Sequence, residues 1–167
     1  MGRSEQGVSM ERYSIIPRVL IFPFDQEGNV LLLKGAATKK IWSNQWNGIG
    51  GHVEPGESIF QAAKRELLEE TGMTSENLIF CGHVIVDVGR TPGIGIYIFK
   101  AYGLVGKLRS SEEGDLEWVK IETALKLPLV QDLFILLPKV SNYAEGGTPF
   151  FGTYTYNSAD ELVISFD

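Results

Sequence analysis

The chain has a single cysteine, Cys81, in 167 residues, so no disulfide can form within it and a reducing compartment such as the cytoplasm is expected. Histidine is almost as scarce. His52 and His83 have no partners at metal-ligand spacing, and both read as structural. Positive charge is in the minority, with 15 Lys and Arg against 21 Asp and Glu and a net charge of −6. No basic stripe offsets this, which argues against a nucleic-acid polymer as partner. No apolar run is long enough to cross a bilayer, and the first ten residues lack the apolar centre of a signal peptide. They read as part of a flexible tail over residues 1–12, with Met10 an alternative start. Repeats, low-complexity runs and linkers are also missing. One domain over residues 13–167 is the expectation, large enough to bury about 70% of its unfolded surface.

What the chain does have is a concentration of negative charge. "GGHVEPGESIFQAAKRELLEETGM", Gly50 to Met73, holds five glutamates against Lys64 and Arg65. Ser58 followed by Gln61 reads as a capping box, and Gly72 fits the left-handed residue that ends a helix. A glycine-rich loop, turning at Pro55-Gly56, should therefore feed a helix from Ile59 to Thr71. At about 100° per residue, Phe60, Ala63, Leu67 and Thr71 share an apolar flank. Glu66, Glu69 and Glu70 share another face. On an exposed helix such crowding costs a few tenths of a kcal/mol, so a solvated acidic face is one reading. In a partly buried cleft each pair about 6 Å apart repels by roughly 2–3 kcal/mol, and a cation is needed. Hard oxygen ligands suit Mg²⁺ or Mn²⁺.

Around this segment the hydrophobic pattern is mostly that of strands. Ile15 to Phe24 reads as a strand whose Pro17 and Pro23 suggest an edge or an end. "DQEGN" turns into a second strand, Val30 to Lys34, and a loop from Gly35 to Asn47 follows. Leu78 to Val88 and "IGIYIFKAYGL" flank the turn "GRTPG", and "EWVKI" is a short strand in which Trp118 packs. Leu129 to Val140 reads as a buried helix despite Pro138, and "PFFGTYTYNSADELVISF" as a closing hairpin. Cys81 falls in an apolar strand and reads as inert core. Strands interleaved with two helices give an α/β (α+β) fold, a mixed sheet covered on both faces.

Gly51, Glu57 and the run Arg65-Glu66-Leu67-Leu68-Glu69-Glu70-Thr71-Gly72-Met73 resemble the Nudix box, G-x5-E-x7-R-E-U-x-E-E-x-G-U with U aliphatic, at every fixed position. The resemblance implies a three-layer α/β/α sandwich and hydrolysis of a nucleoside diphosphate linked to another group. It implies that Glu66, Glu69 and Glu70 hold Mg²⁺, with Mn²⁺ as an alternative, and that the Gly50 carbonyl joins them. Arg65 would orient Glu66 or Glu69, and Glu57 would brace the loop or reach a second metal through water. The general base differs among members. Here it is Glu66 or a loop glutamate, of which Glu113 in "SSEEGDLEW" is the best placed, with Glu112 beside it.

"QWNGIGGHVEPGES" and the tail around "LPLVQDLFILLPKV" resemble the oxidised-purine triphosphatases of the same superfamily. On that match Asn47 and Asp132 would read the base, and Ile41 or Trp42 would lie against its ring. Leu129 and Val130 stand where those enzymes place a tryptophan, and one aspartate replaces their acidic pair. Read without the resemblance, Asn47 forms a turn and Asp132 caps a helix. The resemblance thus implies a purine nucleoside triphosphate cleaved to monophosphate and pyrophosphate, in a monomer or homodimer. ADP-sugar or dinucleotide cleavage is the alternative, and a metabolite-binding regulatory module is the reading from another class.

Overall fold

The computed structural model describes residues 2–9, 11–38, 40–109 and 113–167; Met10 and Glu112 lie outside them. Its elements are β1 (Ile15–Pro23), β2 (Val30–Gly35), β3 (Trp46–Asn47), β4 (Ile49–His52), α1 (Ile59–Thr71), β5 (Met73–Val86), β6 (Gly93–Gly106), β7 (Gly114–Val119), α2 (Ile121–Ala124), α3 (Leu133–Ser141), β8 (Phe150–Tyr156) and β9 (Leu162–Phe166). Six strands form one mixed sheet in the order β4-β1-β6-β5-β8-β9. The β1–β6 and β5–β8 pairs are parallel, and the rest are antiparallel.

The mixed sheet does not take in every strand. β2 joins β3 and β7 in a separate three-stranded sheet. The reason lies in β1, whose two sides are already taken by β4 and β6. Gly50 and Gly51, read above as part of a loop, are strand residues of β4. A Cβ at Gly50 would stand 2.0 Å from the Val19 carbonyl oxygen, so glycine is what lets β4 close on β1. Of the edge or end that the two prolines suggest, the structure has the end: Pro23 closes β1, an inner strand, and Pro17 lies near its start. A residue's N–H and C=O point the same way from a strand. The Pro17 carbonyl accepts from Val53 N at 3.1 Å, just past the last β1–β4 pair, and there a missing N–H breaks no ladder bond.

β1 is also the centre of the core. Its successive residues Val19, Leu20, Ile21 and Phe22 are all buried. Val19 and Ile21 pack with Ala62, Ala63 and Leu67 of α1, whereas Leu20 and Phe22 pack with Leu133, Leu136 and Leu137 of α3. Alternation along one strand thus serves two helices on opposite faces, which makes the three-layer α/β/α arrangement.

Helix α1 forms as its sequence dictates. The Ser58 hydroxyl accepts from Gln61 N, Ser58 N donates to the Gln61 side chain, and Gly72 closes the helix at φ 73°. The apolar flank holds except at Phe60, which is 41% exposed and meets Phe99 edge-on. Helix α3 starts at Leu133, later than expected, because the preceding segment bonds to β3. Trp46 N donates to the Pro128 carbonyl, and Val130 N to that of Trp46. "EWVKI" divides similarly: Val119 ends β7 and Ile121 begins α2. Met73 to Asn77, unassigned above, begin β5 directly after the Gly72 reversal.

Candidate active site

Arg65 organises the acidic segment. Its guanidinium donates to both Glu57 oxygens at 2.8 and 3.2 Å, to Glu66 Oε1 at 2.8 Å, to Glu69 Oε2 at 3.1 Å and to the His52 carbonyl at 2.9 Å. One planar fork therefore ties the end of β4, the loop and two turns of α1 together. The bonds from Arg65, with a further one from Glu54 N, hold the Glu57 carboxyl below its ordinary range. Those same bonds to Glu57, then Glu66, keep Arg65 firmly charged.

The three glutamates of the shared face are not equivalent. Glu66 is mostly covered, and its carboxylate lies flat on Gly51, where a Cβ would stand 2.3 Å from Oε1. Glu70 is buried, with Gly50 N donating to its Oε2 at 3.3 Å. Glu69 is largely exposed and leans on Arg65. Among the described residues, no three acidic or histidine side chains already stand together as a metal-holding group. The donor chemistry nevertheless fits a hard divalent cation. Two carboxylates and a glycine backbone meet at one end of a cleft, and Gly51 has no side chain to separate Glu66 from that backbone.

The cleft is a cavity of about 380 Å³, within the range of small-molecule sites. Glu66, Glu70 and Gly50 line one part, and Trp42, Asn47 and Asp132 line it as well. Glu113, just ahead of β7, also reaches the lining, whereas Ile41 does not and is 62% exposed. The Asn47 amide oxygen accepts from Gly48 N at 2.8 Å, and Asn47 is a strand residue of β3 rather than the turn residue of the alternative reading. Asp132 stands at the N-cap position of α3 but makes no side-chain capping bond. Burial pushes its carboxyl up to about 6. The Tyr154 hydroxyl is close enough to Asp132 to feel its charge, yet it meets no partner in full hydrogen-bond geometry.

Arg18 is not among the residues that the sequence motifs mark. It stands in β1 between His52 of β4 and Ile96 of β6, and its side chain lines the same cavity. Its signal was available: one arginine interrupts the otherwise apolar run "IIPRVLIF". His52, read as structural, also lines the cleft. His83 stacks on Tyr97 and is held neutral by burial, and burial pushes the Cys81 thiol up to about 12, as an inert core cysteine requires.

The family model for the NUDIX domain matches residues 15–140. The chain is 38% identical over 107 residues to the oxidized purine nucleoside triphosphate hydrolase of Danio rerio, covering 64% of this chain and 65% of that protein. It is 36% identical over 92 residues to the protein of the same name from Mus musculus, covering 54% and 59%. The alignments thus span less than two thirds of either relative. Among solved structures, the MutT protein from Bacillus halodurans superposes with a TM-score of 0.77 at 29% identity, covering 92% of this chain and 98% of that one.

Proposed function

Because the chain belongs to the NUDIX domain family, we propose that its cleft hydrolyses a purine nucleoside triphosphate, an oxidised one above a normal one, to monophosphate and pyrophosphate with a divalent cation, Mg²⁺ or Mn²⁺. One observation carries this reading. Glu66, Glu70 and Gly50 share a single cavity with Asn47 and Asp132, so phosphate-end and base-end chemistry lie within one ligand's length. The similarity to the two oxidized purine nucleoside triphosphate hydrolases supports it.

Glu66, Glu70 and the Gly50 carbonyl would hold the cation, with Glu69, which is exposed and outside the cavity lining, joining them by releasing Arg65. When bound, that cation offsets phosphate charge and acidifies a water. The chain's own residues do the rest. Arg65 fixes Glu66 in place from one side and Gly51 leaves room for it on the other. Glu57 anchors Arg65, which braces the loop against α1. Glu113 and Glu66 are the carboxylates on the cavity wall suited to take a proton from an attacking water. Asn47 offers an amide that both donates and accepts, and Asp132 accepts from ring N–H groups. A pyrimidine edge would leave a buried acceptor unpaired, at a cost of about 1–3 kcal/mol or roughly 5- to 150-fold in kcat/KM.

The test compares kcat/KM for 8-oxo-dGTP, dGTP, dCTP and ADP-ribose in the wild type, Asn47→Ala and Asp132→Ala. The expected result is that both variants flatten the ranking among bases. ADP-ribose as the best substrate, or a ranking unmoved by both variants, would overturn the assignment.

A further inference from the structure

The catalytic cleft does not end at Asp132. A second cavity of about 360 Å³ opens beyond it, and the two share a wall made of Arg18, Trp42, Ile96, Val130 and Asp132. That wall is apolar apart from the Arg18 guanidinium, the Trp42 indole N–H and the Asp132 carboxyl. None of the glutamates Glu54, Glu66, Glu70 and Glu113 that line the first cavity lines the second. Arg18 therefore belongs to the junction rather than to the phosphate end. Among the described residues it is the one arginine or lysine lining either cavity.

Its state is unusual. The Nε atom is buried without a hydrogen-bond partner, and no carboxylate among the described residues forms an ion pair with it. A buried guanidinium donor left unmade carries a desolvation penalty that an apolar residue would avoid. The Arg18 side chain lines both cavities, so a ligand there can supply an acceptor to the terminal nitrogens of the guanidinium. Trp42, Ile96 and Val130 suit a flat apolar ring, Asp132 accepts from ring N–H groups, and Arg18 donates to an acceptor beside them.

We propose that Arg18 is a specificity-determining residue that donates to the 6-carbonyl of a guanine-type base while Asp132 accepts from its N1–H and 2-amino groups. This rests on the proposed purine triphosphatase activity. Guanine places an O6 acceptor directly beside two donors, whereas adenine puts a lone amino group at position 6. The arginine–aspartate pair thus selects among purines, guanine and 8-oxoguanine above adenine, and does so without contact to the phosphates.

The test measures kcat/KM of wild type, Arg18→Met and Arg18→Lys on dGTP, dITP, dATP and 2-aminopurine deoxynucleoside triphosphate. dITP keeps the 6-carbonyl and N1–H but lacks the 2-amino group; 2-aminopurine lacks the carbonyl. Arg18→Met is expected to lose about 10- to 100-fold on dGTP and dITP and under about 3-fold on the other two. Arg18→Lys recovers part of that loss, since a single ammonium replaces the fork. The melting temperature of Arg18→Met should hold or rise, because the variant removes an unpartnered buried donor. Equal losses on all four nucleotides, no loss, or a fall in Tm beyond about 4 °C would overturn the assignment, marking a phosphate contact, an idle side chain or a structural role. If wild type turns over neither these four nor 8-oxo-dGTP, the activity reading fails by itself. The same nucleotides are then compared as ligands by calorimetry, and equal affinities would overturn the role of Arg18 too.

Discussion

Gly51 and Glu66 lie so close that a Cβ on the glycine would stand 2.3 Å from one carboxylate oxygen and 2.8 Å from the other. Its neighbour Gly50 faces the opposite constraint, with a Cβ position 2.0 Å from the Val19 carbonyl. One glycine makes room for a side chain that can swing away, the other for a backbone that cannot.

Two alanine substitutions should therefore fail differently. Gly51→Ala pushes Glu66 aside, and kcat/KM is expected to fall by about 10²-fold with the Tm within about 4 °C of wild type. Gly50→Ala forces β4 off β1 and should cost about 2 kcal/mol or more of stability. Denaturant unfolding and steady-state kinetics on both proteins check this. The reverse pattern would mean that Glu66 does not depend on Gly51 for its place.

Leu67 tests the packing of α1. It is 1% exposed, on the helix side turned towards Val19 and Ile21 of β1. Leu67→Ala should cost about 2–5 kcal/mol in chemical denaturation, and a loss under about 1 kcal/mol would contradict the layer order.

Asp132 gives a pH signature. Its folded carboxyl titrates near 6, above the ordinary 3.8, because burial disfavours the charge. The folded state therefore binds the extra proton between those values, so Asp132 makes stability fall as pH rises from about 4 to about 6. At neutral pH the difference is on the order of 2–3 kcal/mol. Asp132→Asn should accordingly stabilise the protein at pH 7.5 and do so far less at pH 4. Thermal unfolding of both proteins across that range checks it. An Asp132→Asn gain that does not shrink on acidification would contradict the burial of this charge.

Much of the site was legible because its constraints are local. The capping box of Ser58 and Gln61, the Gly72 stop and the one-flank burial of Leu67 follow from spacing within a single helix. What was missed depends on partners distant in sequence. Nothing local says that Gly50 and Gly51 are strand, because their reason is the backbone of β1 some thirty residues earlier. The separate sheet of β2 depends likewise on which strands reached β1 first. Arg18 stayed unread since a lone arginine in a strand reaches a cavity wall only through residues far along the chain, such as Asp132, that complete the same wall. The inequality of Glu66, Glu69 and Glu70 is not in their spacing either; it comes from Gly51 and Gly50 of β4, which cover Glu66 and Glu70 and leave Glu69 in solvent.

The general base is tested by two isosteric changes. Glu113 and Glu66 both line the cavity, and Arg65 donates to Glu66. Glu113→Gln is expected to lower kcat by about 10²- to 10⁴-fold with little change in KM. A loss under about 3-fold would remove Glu113 from that role and leave it to Glu66.

The central claim is that this cleft splits a purine triphosphate between the α- and β-phosphates with help from a divalent cation. Single-turnover hydrolysis of 8-oxo-dGTP by the purified chain, run with Mg²⁺ and again with excess EDTA, tests it most directly. The account predicts 8-oxo-dGMP and pyrophosphate in equal amounts with Mg²⁺, and a rate at least about 10²-fold lower in EDTA. Orthophosphate and a diphosphate as products, or an undiminished rate in EDTA, would contradict it.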